Sequence, residues 1–182
     1  MKEVFVFLAE GFEEIEAISI IDILRRGDVK VITVSVSDEY LVEGAHGIAV
    51  EADNLFDEVD LSLGDMLVLP GGMPGASNLN AHEGLKAALS QYNEMGKKIA
   101  AICAAPLVLG GLGILRNKKA TCYPGFESQL TGAEIKPDAV VVDGNIITGK
   151  GPGFAAQFGL KIVSELQGKG KADEVAAGML LK

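Results

Sequence analysis

The sequence predicts an α/β domain with a mostly parallel sheet, and three observations carry that reading. Short apolar runs within residues 4–8, 30–36, 66–69 and 99–102 have the length and the Val, Ile and Leu content of strands covered on both faces. Segments with a 3.6-residue apolar period lie between and after them. The two patterns alternate along the chain instead of clustering, which is the signature of βαβ units.

Taken in order, Val4 to Leu8 reads as the first buried strand, and Glu13 to Arg26 as a helix closed by Gly27. Lys30 to Val36 is a second strand. Around 41–53 the pattern weakens to hairpin-like pieces with Gly44 and Gly47. Met66 to Leu69 is a strand that stops at Pro70-Gly71-Gly72. A helix follows, with Asn80 expected as its N-cap, Glu83 at the capping-box position, and Leu85, Ala88, Leu89 and Tyr92 on one face. Ile99 to Ile102 is the next strand, then Cys103 and an apolar helix from about Ala105. Ala120 to Tyr123 and Val140 to Val142 read as strands, and Ile146 to Thr148 pairs with the latter across Asp143-Gly144-Asn145. Residues 154–167 form an amphipathic helix. A final helix places Ala172, Val175, Ala176, Met179 and Leu180 on one side. With no repeat or linker in the pattern, residues 1–182 read as a single domain.

Composition excludes several classes. The 182 residues carry 16 Lys+Arg against 25 Asp+Glu, a net charge of −9, and are 48% hydrophobic. Such a chain is too apolar to be disordered and too acidic to neutralise a row of phosphates, so no nucleic acid is expected as a partner. Two cysteines cannot staple a disulfide scaffold. The longest uncharged run, Ile99 to Leu115, is broken by Pro106, Gly110, Gly111 and Gly113, so no membrane span is expected. The first ten residues lack a signal-peptide pattern, and a cytoplasmic location is expected.

The strongest chemical signal is Ile102-Cys103-Ala104-Ala105-Pro106. A buried strand runs through a cysteine straight into a helix, at the sheet edge where α/β proteins bind ligands. Small neighbours permit the sharp turn of a nucleophile elbow, and the Ala104 N–H would face whatever reacts at sulfur. A helix N-terminus favours the thiolate, so a depressed Cys103 pKa is expected. The local pattern alone leaves a reactive thiol and a buried inert one both open. Glu16 is the second signal. Its helix is apolar nearly all round, through Ile15, Ala17, Ile18, Ile20, Ile21, Ile23 and Leu24, and its first turns lie at the same sheet edge. Burial there would keep the carboxyl protonated and able to donate a hydrogen bond. Glu13 and Glu14 read instead as exposed residues or as ones stabilising the helix N-terminus through its dipole, and Asp22 as a residue facing a partner surface. The turn at Gly71 and Gly72 offers backbone N–H groups for an oxyanion.

Other matches fail. Residues 144–150 have Walker-like spacing, but Gly151 stands where Ser or Thr should, and Ala9-Glu10-Gly11-Phe12 lacks a dinucleotide fingerprint. With only His46 and His82, and no Cys-x-x-Cys, neither a metal nor another cofactor is expected. His82 reads as solvated, and Cys122 as packing.

Together, Glu13-Glu14-Ile15-Glu16, Leu69-Pro70-Gly71-Gly72, Ala101 to Pro106 and Gly151-Pro152-Gly153 resemble the ThiJ/PfpI superfamily. The resemblance spans the chain and is nearest to the branch of the parkinsonism-associated deglycase and its bacterial relatives. It implies a flavodoxin-like three-layer sandwich, similar to class I glutamine amidotransferases, with Cys103 as nucleophile and a protonated Glu16 bonded to its sulfur. It also implies a homodimer built partly on the first helix. Tyr123, His46, Asp22 and Arg26 are then candidates for supporting or dimer-related positions. Implied activities are cofactor-independent glyoxalase or deglycase chemistry on small reactive carbonyls, oxidative-stress sensing or chaperoning through Cys103, and, more weakly, cysteine peptidase action. The chain departs from the superfamily at two places. Ala104 and Tyr123 stand where relatives carry histidine, which removes the proton donor that an amide leaving group needs.

Overall fold

The computed structural model describes residues 1–181. Its elements run β1 (Glu3–Leu8), α1 (Glu14–Arg26), β2 (Lys30–Ser35), β3 (Leu41–Glu43), β4 (Ala49–Glu51), β5 (Asn54–Leu55), β6 (Met66–Leu69), α2 (Gly75–Ala81), α3 (Glu83–Glu94), β7 (Lys98–Ile102), α4 (Pro106–Gly111), β8 (Lys119–Ala120), β9 (Glu134–Ile135), β10 (Val140–Asp143), β11 (Ile146–Gly149), α5 (Ala155–Gln167) and α6 (Lys169–Gly178). Among the described residues one sheet has the order β10-β11-β7-β6-β1-β2-β5. It is parallel except for the β10–β11 hairpin.

Side-chain alternation along the strands builds two cores. In β1, Val4 and Val6 point to one face, where Ile20, Ile23, Phe158, Ile162 and Val163 of α1 and α5 cover them. Phe5 and Phe7 point to the other, under Leu79, Leu85, Leu89, Val108 and Leu109. Both faces being covered explains why the strands are apolar without alternation. The packing of α1 on α5 is close because Gly159 lies against Ile23 and Gly27 against Val163, where an added Cβ would come within 3.1 and 2.8 Å. Within this three-layer sandwich the central strands β1, β6 and β7 all end at one edge. The chain order reverses there, since β2 lies on one side of β1 and β6 on the other.

Four local expectations are corrected. Asn80 lies inside α2, and the cap of α3 is His82, whose Nδ1 accepts the Leu85 N–H at 3.0 Å. His82 is therefore not free in solvent; its ring also lies 4.4 Å from that of Phe56. Residues 121–123 are not strand. The Thr121 N–H goes to Thr148 Oγ1 and the Tyr123 N–H to the Cys103 carbonyl, so no ladder forms. The last helix ends at Gly178, leaving Leu180 exposed at a φ of 58°.

Candidate active site

The site is assembled by three turns at that edge. The turn after β7 holds Cys103 at φ 65°, in the left-handed region a cysteine rarely enters. Its N–H donates to the Gly149 carbonyl and its carbonyl accepts from Tyr123, both at 2.9 Å, so the strained residue is pinned on both sides. The turn after β6 packs directly on it. A Cβ at Gly71 would lie 2.5 Å from that of Cys103, and Gly72 adopts φ 93°. Both glycines are thus required, one by close approach and one by conformation.

Glu16 is 0% exposed and is held in a closed set of hydrogen bonds. The Gly71 N–H donates to Glu16 Oε2 at 2.7 Å, the Glu16 N–H to Glu13 Oε2 at 2.7 Å, and the Glu13 N–H to the Gly71 carbonyl at 2.9 Å. Glu16 Oε1 has no full hydrogen bond among the described residues, although the carboxyl interacts with the Cys103 thiol beside it. Burial pushes the carboxyl up to about 7, against the lowering effect of the Gly71 N–H and the thiol.

Cys103 is 7% exposed. Its thiol is pushed up to about 12, first by burial and then by the Glu16 charge and hydrogen bond, while the N–H groups of Gly72 and Ala104 act in the opposite direction. This corrects the expectation of a depressed pKa. Helix α4 begins only at Pro106 and is six residues long, so its N-terminus is a weak positive pole, and the charge that acts on the sulfur is a carboxylate. Of the three expected oxyanion donors, Gly72 and Ala104 reach the sulfur. The Gly71 N–H is committed to Glu16.

The remaining candidates separate. Tyr123 borders the site through its bond to Cys103. His46 does not join it in this chain: its N–H donates to Glu14 Oε1 at 2.6 Å, and its Nδ1 lies 2.7 Å from Glu14 Oε2. Of the two readings of Glu13 and Glu14, exposure fails, because both are buried, and a place at the N-terminus of α1 holds. Glu13 caps α1, and Glu14 anchors the loop before β4. Burial raises the Glu14 carboxyl, but its hydrogen bonds with His46 outweigh this and hold it below the ordinary range. Glu13, Glu14 and His46 bring ligand-type atoms within 4.8 Å of one another, a grouping that 31 intervening residues hide in the sequence; Glu13 Oε2, both Glu14 carboxylate oxygens and His46 Nδ1 are already hydrogen-bonded. Asp22 and Arg26 pair with each other at 2.6 Å on the outer face of α1. Cys122 is buried in the core on the opposite face of the sheet from Cys103.

Replacing Gly71 by Ala would drive a methyl group into Cys103 and Glu16 Oε2. Overpacking of this kind costs roughly 1–3 kcal/mol, because the elbow that holds Cys103 must shift to admit the methyl group. Thermal unfolding of Gly71→Ala checks this; an unchanged midpoint would show that the elbow absorbs the added methyl group.

Fold and site define a class: an α/β sandwich with a nucleophile-elbow cysteine backed by a buried carboxyl group. The chain belongs to the DJ-1/PfpI family, which it matches over residues 2–165. It is 40% identical over 184 residues to Protein DJ-1 homolog A of Arabidopsis thaliana, covering 100% of this chain and 47% of that one. The chain thus spans about half the length of that relative. It is 35% identical over 174 residues to Glutathione-independent glyoxalase DJR-1.2 of Caenorhabditis elegans, covering 94% of this chain and 92% of that one. The solved structure of oxidized Toxoplasma gondii DJ-1 superposes with a TM-score of 0.96 at 40% identity, over 100% of this chain and 99% of that one. Among the described residues no helix is long and apolar enough to cross a membrane.

Proposed function

We propose that the chain is a cofactor-independent enzyme of glyoxalase or deglycase type, acting on small reactive carbonyls. The observation that carries this is the coupled pair itself: a strained cysteine beside a buried carboxyl group with one oxygen lacking a full hydrogen bond. As pH rises, the pair gives up a first proton near 7 and a second near 12. Between those limits it holds one proton. With that proton on Glu16, the sulfur is a thiolate faced by the Gly72 and Ala104 N–H groups.

In the reading, the thiolate adds to the aldehyde carbon of methylglyoxal. A proton returns to the oxygen and gives a hemithioacetal. Glu16 then takes the proton from that carbon and delivers it to the neighbouring one. The hydroxyl proton passes to the former ketone oxygen, leaving a thioester of lactate. Water breaks the carbon–sulfur bond, restoring the thiol and releasing lactate. One carbon is oxidised and its neighbour reduced, so no external electron acceptor is needed. That the C. elegans relative is named a glutathione-independent glyoxalase supports this chemistry. Lactate appearing from methylglyoxal without added thiol or metal is the expected result; none would overturn the proposal.

The same pair supports a second reading, a redox sensor, since the T. gondii relative is described as oxidized. Limited peroxide exposure followed by mass spectrometry tests it. Gain of two oxygens on Cys103 and none on Cys122 would favour sensing, and equal oxidation would exclude it.

A homodimer belongs to the proposal. Ile15 and Ile18 are exposed at the start of α1, and Asp22 and Arg26 extend the same stripe, with exposed Ile48 on the neighbouring hairpin. Ile15→Glu combined with Ile18→Glu is expected to yield a folded monomer in sedimentation velocity. A variant that still dimerises would move the interface elsewhere.

A further inference from the structure

An aromatic pair stands beside the site and has no part in the proton transfers. Tyr123 and Phe154 are 45% and 40% exposed. With Pro124, Lys150 and the backbone of Gly151 to Gly153 they line a cavity of about 260 Å³. Both walls hang from the nucleophile's own peptide groups. The Tyr123 N–H donates to the Cys103 carbonyl, and the Cys103 N–H donates to Gly149, two residues before Gly151. The Tyr123 ring lies over Gly151, where any Cβ would come within 3.1 Å of it, so this wall is seated by the backbone. The Lys150 amine is engaged by the Pro137 carbonyl at 3.2 Å.

We propose, resting on the carbonyl reading above, that this cavity receives the substituent on the ketone carbon of a 2-oxoaldehyde, and that Tyr123 and Phe154 favour an aryl group there. Three features point to an aryl occupant. An apolar cavity of roughly 150 Å³ already holds benzene, and this one is larger. Its lining is dominated by aromatic and proline rings, which bind flat apolar groups by offset stacking. Its walls are tied by backbone hydrogen bonds to both sides of the Cys103 peptide, which puts the cavity next to the elbow that carries the sulfur. For phenylglyoxal the atoms balance as for methylglyoxal. The thiol adds to the aldehyde, and the proton on that carbon moves to the carbon bearing the phenyl group. The hydroxyl proton moves to the former ketone oxygen, and water cleaves the resulting thioester to mandelate and free thiol. The oxidation of one carbon is matched by reduction of the other.

The test compares phenylglyoxal with methylglyoxal on wild type, Phe154→Ala and Tyr123→Ala, following mandelate and lactate by chromatography. The two aldehydes differ in intrinsic reactivity, so the informative quantity is the change in the ratio of their kcat/KM values. Each variant is expected to lower the phenylglyoxal-to-methylglyoxal ratio about tenfold, the low end of what a hydrophobic pocket confers, mainly by raising KM for phenylglyoxal. Both side chains are exposed, so truncation spares the fold. A ratio unchanged in both variants, with methylglyoxal still converted, overturns the cavity proposal and leaves the carbonyl reading standing. If neither aldehyde is converted, the carbonyl reading falls, and binding decides the cavity separately. Backbone amide shifts at Gly151, Gly153 and Phe154 that respond to mandelate and not to lactate would uphold an aryl site; no response to mandelate would remove it.

Discussion

Cys103→Ala is expected to reduce lactate formation from methylglyoxal to the uncatalysed background, a loss of at least about 10³-fold, with the fold intact. In the proposed mechanism the thiol sulfur forms the covalent bond, and Cys122 cannot replace it, because it lies in the core on the other face of the sheet. The residual N–H groups of Gly72 and Ala104 would still face the vacated position, but without a nucleophile they have no oxyanion to stabilise. Cys103→Ser is expected to fall nearly as far, since a hydroxyl is much harder to ionise beside a carboxyl group than a thiol. Initial rates measured without added thiol or metal check both variants. Turnover retained in Cys103→Ala would remove the covalent mechanism and, with it, the proposed function.

Glu16→Gln is expected to lower kcat by roughly 10² to 10⁴, the range for loss of a general acid–base group, while substrate still adds to sulfur. Glutamine can accept the same Gly71 N–H, so the 2.7 Å anchor survives and the proton carrier alone is lost. Two pH signatures accompany the change. In wild type, activity should rise through about pH 7 as the pair loses its first proton, and this limb should vanish in the variant. Stability moves the other way. The Glu16 carboxyl is raised in the folded state, so the folded chain holds a proton that the unfolded chain has released above its ordinary value of 4.5. Stability therefore declines as pH climbs from 4.5 to about 7, by roughly 3 kcal/mol in the limit, and Glu16→Gln should flatten that slope. Chemical denaturation at pH 5 and pH 8 reads the difference directly. Equal slopes would show that Glu16 is ionised throughout, and the proton-transfer role would have to be reassigned.

Much of this molecule was legible from residue order. Continuous apolar runs define β1, β2, β6 and β7, and apolar spacing defines α1 and α5, because these patterns depend on burial of faces whose geometry is local. The elbow at Cys103 and the partnership with Glu16 follow from the same logic, since both residues sit just beyond the carboxyl ends of strands in a parallel sheet. Family membership agrees with the motifs that carried the resemblance. Beyond the helix bounds and the strand at 121–123 corrected above, what failed were statements about environment. A depressed thiol pKa follows from a helix N-terminus taken alone; the burial of Cys103 and its contact with a carboxyl group reverse the direction, and both come from segments 32 and 87 residues away, in the turn after β6 and in α1. Glu13 and Glu14 look like surface charges until the loop before β4 folds over them and supplies the His46 hydrogen bonds. Tyr123 and Phe154 have no periodic signal, and only the turns after β8 and β11 place them on one cavity. Most of the secondary structure and the placing of Cys103 and Glu16 at one sheet edge are encoded by spacing along the chain, whereas protonation, hydrogen-bond commitment and pocket lining depend on which distant segments are neighbours, and neighbours are decided only when the layers close.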